Sequence, residues 1–184
     1  MIIILEGPDN CGKTEIAKEL ARRLCLSYFK VSTEKENWRR GTFSKSLYFD
    51  FVLPQFIRVL PKADIVFDRS YISEKVYSKV FGRDTDEAML QATDDQFNDL
   101  GAVLIVCLRR DYSGLQDELV SNDKLIPLHD EYSLIHRWTR LPVVYIYVDD
   151  FGNDIRRQSL PLVNAVLSMQ NNEKIHTITL ENYR

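Results

Sequence analysis

The chain has 184 residues, 45% of them hydrophobic, which suffices for one well-buried core and is short for two. Its formal net charge of -3 excludes the global basic field that dominates nonspecific DNA binding, although a local basic patch is compatible with it. Three widely spaced cysteines, Cys11, Cys25 and Cys107, form neither a disulfide frame nor a C-x-x-C zinc site, and no apolar run approaches a membrane span, so a soluble cytoplasmic protein is expected.

Ile2 to Leu5 is apolar throughout and rich in β-branched residues, and it reads as a strand buried on both faces. Gly7-Pro8-Asp9-Asn10-Cys11-Gly12-Lys13-Thr14 then satisfies G-x-x-x-x-G-K-[ST] without exception. Ile16, Leu20 and Leu24 recur at four-residue spacing beside Ala17 and Ala21, with charged residues elsewhere on the cylinder, which makes an amphipathic helix. A glycine-rich turn between a buried strand and a helix N-terminus presents backbone N–H groups and partial positive charge to a phosphate. Gly7, Asn10, Cys11 and Gly12 form that cradle, Lys13 reaches the β/γ-oxygens, and the Thr14 hydroxyl is placed to ligate Mg²⁺. The bound nucleotide expected is ATP. Cys11 reads as a small filler, since no base partner is evident for it.

Ser27 to Val31 is a candidate second strand and Glu36 to Thr42 a polar connection; Phe43 to Leu60 is expected to be mainly helical, kinked at Pro54. Ala63 to Phe67 is a buried strand that leads into Asp68-Arg69-Ser70. Helices are predicted over Tyr71 to Val80 and Asp86 to Leu100, and a strongly apolar strand over Ala102 to Leu108, ended by Arg109 and Arg110. Asp111 to Leu125 reads as a polar loop, with a lid at about 111–126, and Leu128 to Thr139 as a helix. Pro142 to Val148 is a further strand, Asp154 to Gln170 a helix interrupted by Pro161, and Lys174 to Leu180 either a last strand or a tail. Uniformly apolar strands separated by helices predict one α/β domain over 1–184, a P-loop NTPase fold with a doubly wound, parallel, five-stranded sheet. Gly7 to Thr14, Asp68-Arg69, Arg109-Arg110 and Asp149-Asp150 all follow strands, so they should meet at one rim.

A switch GTPase would carry N-K-x-D, and none is present. Leu5-Glu6-Gly7-Pro8-Asp9-Asn10-Cys11-Gly12-Lys13-Thr14 resembles the E-G-x-D-x-x-G-K-[ST] of the thymidylate kinase family. Asp68-Arg69-Ser70-Tyr71-Ile72-Ser73-Glu74-Lys75-Val76-Tyr77 resembles that family's D-R-Y-x-x-S-x-x-A-Y. The resemblance implies that Asp9 accepts a hydrogen bond from the acceptor's sugar hydroxyl, that Arg69 binds the acceptor phosphate, and that Asp68 holds Mg²⁺ through water. It adds Arg40, Phe49, Ser73 and Tyr77 as acceptor contacts, with Phe49 stacking on the base, and a homodimer as the assembly. Leu53 stands where the family carries a base-reading arginine, and Tyr77-Ser78 replaces its Tyr-Gln. Between Gln116 and Leu125 the only cation is Lys124, so Arg109 and Arg110 are the candidates for the transition state. His129, His136 and His176 have no metal-ligand spacing.

The implied activity is transfer of the ATP γ-phosphate to dTMP or a modified pyrimidine monophosphate. Asp68-Arg69-Ser70 also resembles the D/E-R-S of deoxynucleoside kinases, which leaves a hydroxyl of a nucleoside, or of a hydroxymethyl-pyrimidine in DNA, as an alternative acceptor; DNA is a partner under that reading alone. A non-catalytic nucleotide-binding module is the third possibility, supported by the cation-poor lid.

Overall fold

The computed structural model describes residues 1–30, 53–113, 120–148, 151–171 and 177–180. Its elements are β1 (Ile2–Glu6), α1 (Lys13–Leu24), β2 (Ser27–Lys30), α2 (Leu53–Val59), β3 (Ile65–Asp68), α3 (Tyr71–Phe81), α4 (Glu87–Asp99), β4 (Val103–Leu108), α5 (Asn122–Ser133), β5 (Val143–Tyr147), α6 (Phe151–Asn171) and β6 (Thr177–Leu180). The strands form one parallel sheet in the order β2-β3-β1-β4-β5-β6. The expected count of five strands is thus corrected to six among the described residues. Thr177–Leu180 pairs with Val143–Ile146 and becomes the far edge strand instead of a tail.

Alternation along each strand builds two cores. Ile2, Ile4, Phe67, Leu104 and Val106 face α3, α4 and α5, where Ile72, Phe97 and Leu128 close over them. Ile3, Leu5, Val66, Ile105 and Cys107 face the other way, onto Ile16 and Leu20 of α1 and Val166 and Met169 of α6. Both faces of β1 are therefore covered, as its unbroken apolar run requires. Register sets the height of the site: Leu5 lies opposite Asp68, Glu6 opposite Val106, and Lys30 opposite Asp68. The carboxyl ends of β1, β2 and β3 consequently finish level with one another.

Two helices depart from the sequence-based expectation for the same reason. α5 begins at Asn122, six residues before the predicted Leu128, and it takes in residues 122–126 of the expected lid. Pro127 lies inside it, and α6 likewise runs unbroken through Pro161. A proline removes one ladder donor, but burial of Leu125 and Leu128 in α5 and of Leu162 and Val166 in α6 outweighs that loss.

Candidate active site

The site starts at the turn that ends β1. Gly7 has φ 140°, and a Cβ there would lie 2.1 Å from the Cys107 carbonyl oxygen on β4, so only glycine lets the loop leave the sheet at this point. Asn10 and Gly12 also adopt positive φ, and Gly12 is the N-cap of α1, with Ile16 N–H donating to its carbonyl at 3.1 Å. The loop wraps back over the helix start as a phosphate cradle requires. Lys13 is buried, and its ammonium donates to the Pro8 carbonyl of its own loop. Burial lowers its pKa and the nearby Arg69 charge adds to that effect, against Asp9, which raises it. Cys11 is fully buried with its thiol pKa raised by burial, in keeping with a filler, and it contacts the Tyr112 hydroxyl at 3.5 Å.

Asp68 ends β3 almost wholly inside the protein. Its Oδ2 accepts from the Thr14 hydroxyl at 2.6 Å and from the Tyr28 hydroxyl at 2.9 Å, and the Lys30 ammonium lies 3.8 Å away. Lys30 also donates to Thr14 Oγ1 at 3.2 Å. An all-oxygen pair, one hydroxyl and one carboxylate, beside a phosphate loop fits Mg²⁺, which takes few protein ligands and completes its shell with water and phosphate. Among the described residues no group of three or more His, Cys, Asp or Glu side chains forms a metal cage.

Arg69, the next residue, turns the other way. Its φ of 73° is unusual for a residue with a side chain, and its N–H is tied to the Leu5 carbonyl at 2.9 Å. The guanidinium forms an ion pair with Asp9 and donates to Ser73 Oγ at 3.1 Å and to the Tyr77 hydroxyl at 3.3 Å. Tyr77 in turn donates to Asp9 Oδ2 at 2.8 Å. Burial alone would raise the Asp9 carboxyl, but the charges of Arg69 and Lys13 and the hydrogen bonds from Tyr77 and Arg69 hold it below its ordinary range.

Behind this group Glu6 is fully buried and accepts from Ser70 N–H, both serine hydroxyls (Ser70 and Ser73), Ser73 N–H and the Tyr132 hydroxyl. Burial raises its pKa; the Arg69 charge and the bonds from Ser73, Ser70 and Tyr132 oppose that shift.

Of the residues predicted from sequence, Asp9, Lys13, Thr14, Asp68, Arg69, Ser73 and Tyr77 share this rim. Arg109 joins them, with Nη1 3.3 Å from the Asn10 carbonyl, whereas Arg110 lies over the Tyr147 ring at 5.0 Å, toward β5. Arg40, Phe49 and the Asp149-Asp150 pair lie outside the described residues. Four participants were not predicted as site residues, Glu6, Tyr28, Lys30 and Tyr132, although Glu6 stands within the loop motif. Tyr28 and Lys30 stand two apart on β2 and so share a face, a period-two signal that was readable. Tyr132 comes from α5 and left no local signal. His129 is half-buried, its Nδ1 3.2 Å from the Tyr112 hydroxyl, which also accepts from Arg109 N–H at 3.3 Å.

No protein-family model and no curated protein matches the chain. Its fold is similar to that of several solved structures. One is the YorR protein from Bacillus subtilis, in complex with phosphorylated GDP: TM-score 0.65 and 18% identity, over 93% of this chain and 98% of that one. Deoxyadenosine kinase from M. mycoides, with products dCMP and dCDP, gives TM-score 0.55 and 20% identity over 92% and 100%. Thymidylate kinase from Ehrlichia chaffeensis gives TM-score 0.54 and 18% identity over 90% and 98%. The chain therefore has a P-loop α/β fold of the kind found in nucleoside and nucleotide kinases. Within that class it has the fold seen in thymidylate kinase, as its two motifs implied. Among the described residues no helix is long and apolar enough to cross a membrane.

Proposed function

We propose that the chain is an ATP- and Mg²⁺-dependent kinase that transfers the γ-phosphate to a deoxynucleoside monophosphate, dTMP or a modified pyrimidine. One observation carries this reading: consecutive residues Asp68 and Arg69 point to different partners, Asp68 to Thr14 of the phosphate loop and Arg69 to Asp9. That divergence at one strand end supports a metal-side role for Asp68 and an acceptor-side role for Arg69.

The loop amides and Lys13 bind the donor triphosphate. Thr14 and, through water, Asp68 would hold Mg²⁺, which would supply charge neutralisation on the phosphates. Arg69 presents a planar fork to the acceptor phosphate, and Asp9 accepts from the acceptor's sugar hydroxyl. Substrate enters by replacing the Asp9–Arg69 ion pair, the acceptor phosphate taking the guanidinium and the sugar hydroxyl donating to Asp9. An oxygen of the acceptor phosphate, already anionic at neutral pH, attacks the γ-phosphorus; the bond to the β-phosphate oxygen breaks and ADP leaves. Positioning and electrostatics suffice, and no covalent enzyme intermediate forms. Arg109, whose Nη1 lies 3.3 Å from the Asn10 carbonyl, is the better placed of the two arginines that follow β4 to meet charge developing on the transferred group.

A second reading, favoured by the equal likeness to a deoxyadenosine kinase, replaces the acceptor phosphate with a deoxynucleoside hydroxyl. That acceptor must lose a proton, and Asp9 is the carboxylate at hand. An ADP-release assay over deoxynucleosides and their monophosphates separates the two. Turnover with monophosphates that collapses in Lys13→Ala and Arg69→Ala supports the first reading, and turnover with nucleosides alone supports the second. Activity indifferent to both substitutions would remove the kinase assignment.

A further inference from the structure

We propose that Glu6 is a positioning residue for Arg69, acting through the Ser73 hydroxyl. This rests on the reading of Arg69 as the acceptor-phosphate ligand. Glu6 closes β1 inside the protein and draws five donors onto its two oxygens. Oε1 accepts from Ser70 N–H at 2.6 Å, Ser70 Oγ at 2.9 Å and Ser73 N–H at 3.2 Å, and Oε2 accepts from Ser73 Oγ at 2.6 Å and the Tyr132 hydroxyl at 3.1 Å. A carboxylate accepts only, so the single proton of Ser73 is committed to Glu6 and its lone pairs are left to face outward. Arg69 Nη1 donates into them at 3.1 Å.

The relay matters because of what else holds Arg69. Its backbone is in the left-handed region, outside any regular element, and its other side-chain partners among the described residues, Asp9 and Tyr77, are both on the face where substrate would arrive. When an acceptor phosphate displaces Asp9, the Glu6–Ser73 relay is the tie that persists behind the guanidinium. Tyr132 brings α5 into the same carboxylate, so the helix following the lid region is fastened to the acceptor side.

Glutamine at position 6 makes the mechanism testable. Its carbonyl oxygen can still accept from Ser70 and Ser73 N–H, which turns its NH₂ toward the Ser73 hydroxyl. Ser73 must then accept from the amide, and its proton is free to turn either to the Tyr132 hydroxyl, 3.3 Å away, or toward the Arg69 cation, so a lone pair is no longer held facing Arg69. In ¹⁵N-arginine side-chain spectra of the full chain carrying Asp9→Ala and no nucleotide, where the substrate-side ion pair is gone, Arg69 should give a slowly exchanging guanidinium Nη–H signal, assigned by its loss in Arg69→Lys. That signal should fall into the solvent-exposed envelope in Glu6→Gln and Ser73→Ala and survive in Ser73→Thr. In steady-state assays the KM for the monophosphate should rise about tenfold in the first two variants, the loss expected of one charge-assisted hydrogen bond, with the KM for ATP unchanged. A purely structural role would lower the active fraction and leave both KM values where they were. An unmoved Arg69 signal in Ser73→Ala, or equal shifts in both KM values, overturns the proposal. Ser73→Ala keeps Glu6 and its backbone bonds, so it decides the matter if Glu6→Gln fails to fold. A wild-type protein that phosphorylates no monophosphate would instead retire the acceptor reading, and the spectra would still show whether Glu6 holds Arg69.

Discussion

At the scale of single residues the site is a problem in charge balance. Lys13, which is buried, and Arg69, which is partly buried, lie near one point, the Arg69 charge raising the cost of the Lys13 ammonium, and Asp9 and Glu6 are the anions that make the pair tolerable. Arg69→Lys keeps the charge but removes the fork, and the KM for the acceptor should rise by about 10- to 100-fold with the KM for ATP unchanged, measured by ADP release. Lys13→Ala should lower kcat by at least about 10²- to 10³-fold, the scale of losing one preorganised charge-stabilising donor. The two acids respond to pH in opposite senses. Asp9 is held below its ordinary range, so the stability it contributes is present above the unfolded carboxyl pKa and is lost as pH falls through the lower folded value. Glu6 is raised from 4.5, so its contribution is full below the unfolded value and declines as pH rises through the folded one. Urea denaturation between about pH 3 and pH 7 should therefore show a shallower acid limb in Asp9→Asn, and a flatter response above about pH 4.5 in Glu6→Gln.

At the scale of elements, the turn between β1 and α1 is set by a contact with β4. Gly7→Ala places a methyl group against the Cys107 carbonyl and forces a left-handed backbone on alanine, so the loop must shift. The expected result is a destabilisation of about 1–3 kcal/mol together with loss of ATP affinity by isothermal titration, and retained affinity would show that the turn can move without harm. α6 supplies the converse case. Pro161 sits within it without contributing an N–H to the ladder, so Pro161→Ala should stabilise the protein by up to about 3 kcal/mol and raise Tm by several degrees. Pro161 is also why the sequence alone predicts an interrupted helix here. Local propensity ends a helix at Pro127 or Pro161, whereas the decisive term is the apolar face that α5 and α6 bury, and that term becomes visible only against the sheet.

At the scale of the whole molecule, one buried carboxylate ties the helical layer to the sheet. Asp94 on α4 accepts from the Tyr71 hydroxyl of α3 at 2.8 Å, from the Thr139 hydroxyl, and from Arg140 N–H at 2.7 Å just before β5. Asp94→Ala leaves the buried Tyr71 and Thr139 hydroxyls and the partly buried Arg140 N–H without this acceptor, and urea unfolding should show a loss of about 3 kcal/mol with little change in m. The same layer carries Tyr71 stacked on Phe97 at 5.4 Å between ring centroids, with Phe97 edge-on to Phe67 of β3 at 5.8 Å. Loosening this layer should also loosen the start of α3, where Ser70 and Ser73 meet Glu6.

Local chemistry by itself determined the phosphate loop, the apolar strands and the Asp68-Arg69 landmark, because glycine geometry, β-branched runs and a charged pair closing a strand act over a few neighbouring residues. Only the tertiary structure decided that Glu6, Tyr28, Lys30 and Tyr132 belong to the site, that the sheet has a sixth strand, and that Asp68 and Arg69 diverge. Those depend on strand register and on side chains up to 126 positions apart meeting in a low-dielectric interior, where a buried charge must find its partners wherever the chain happens to bring them.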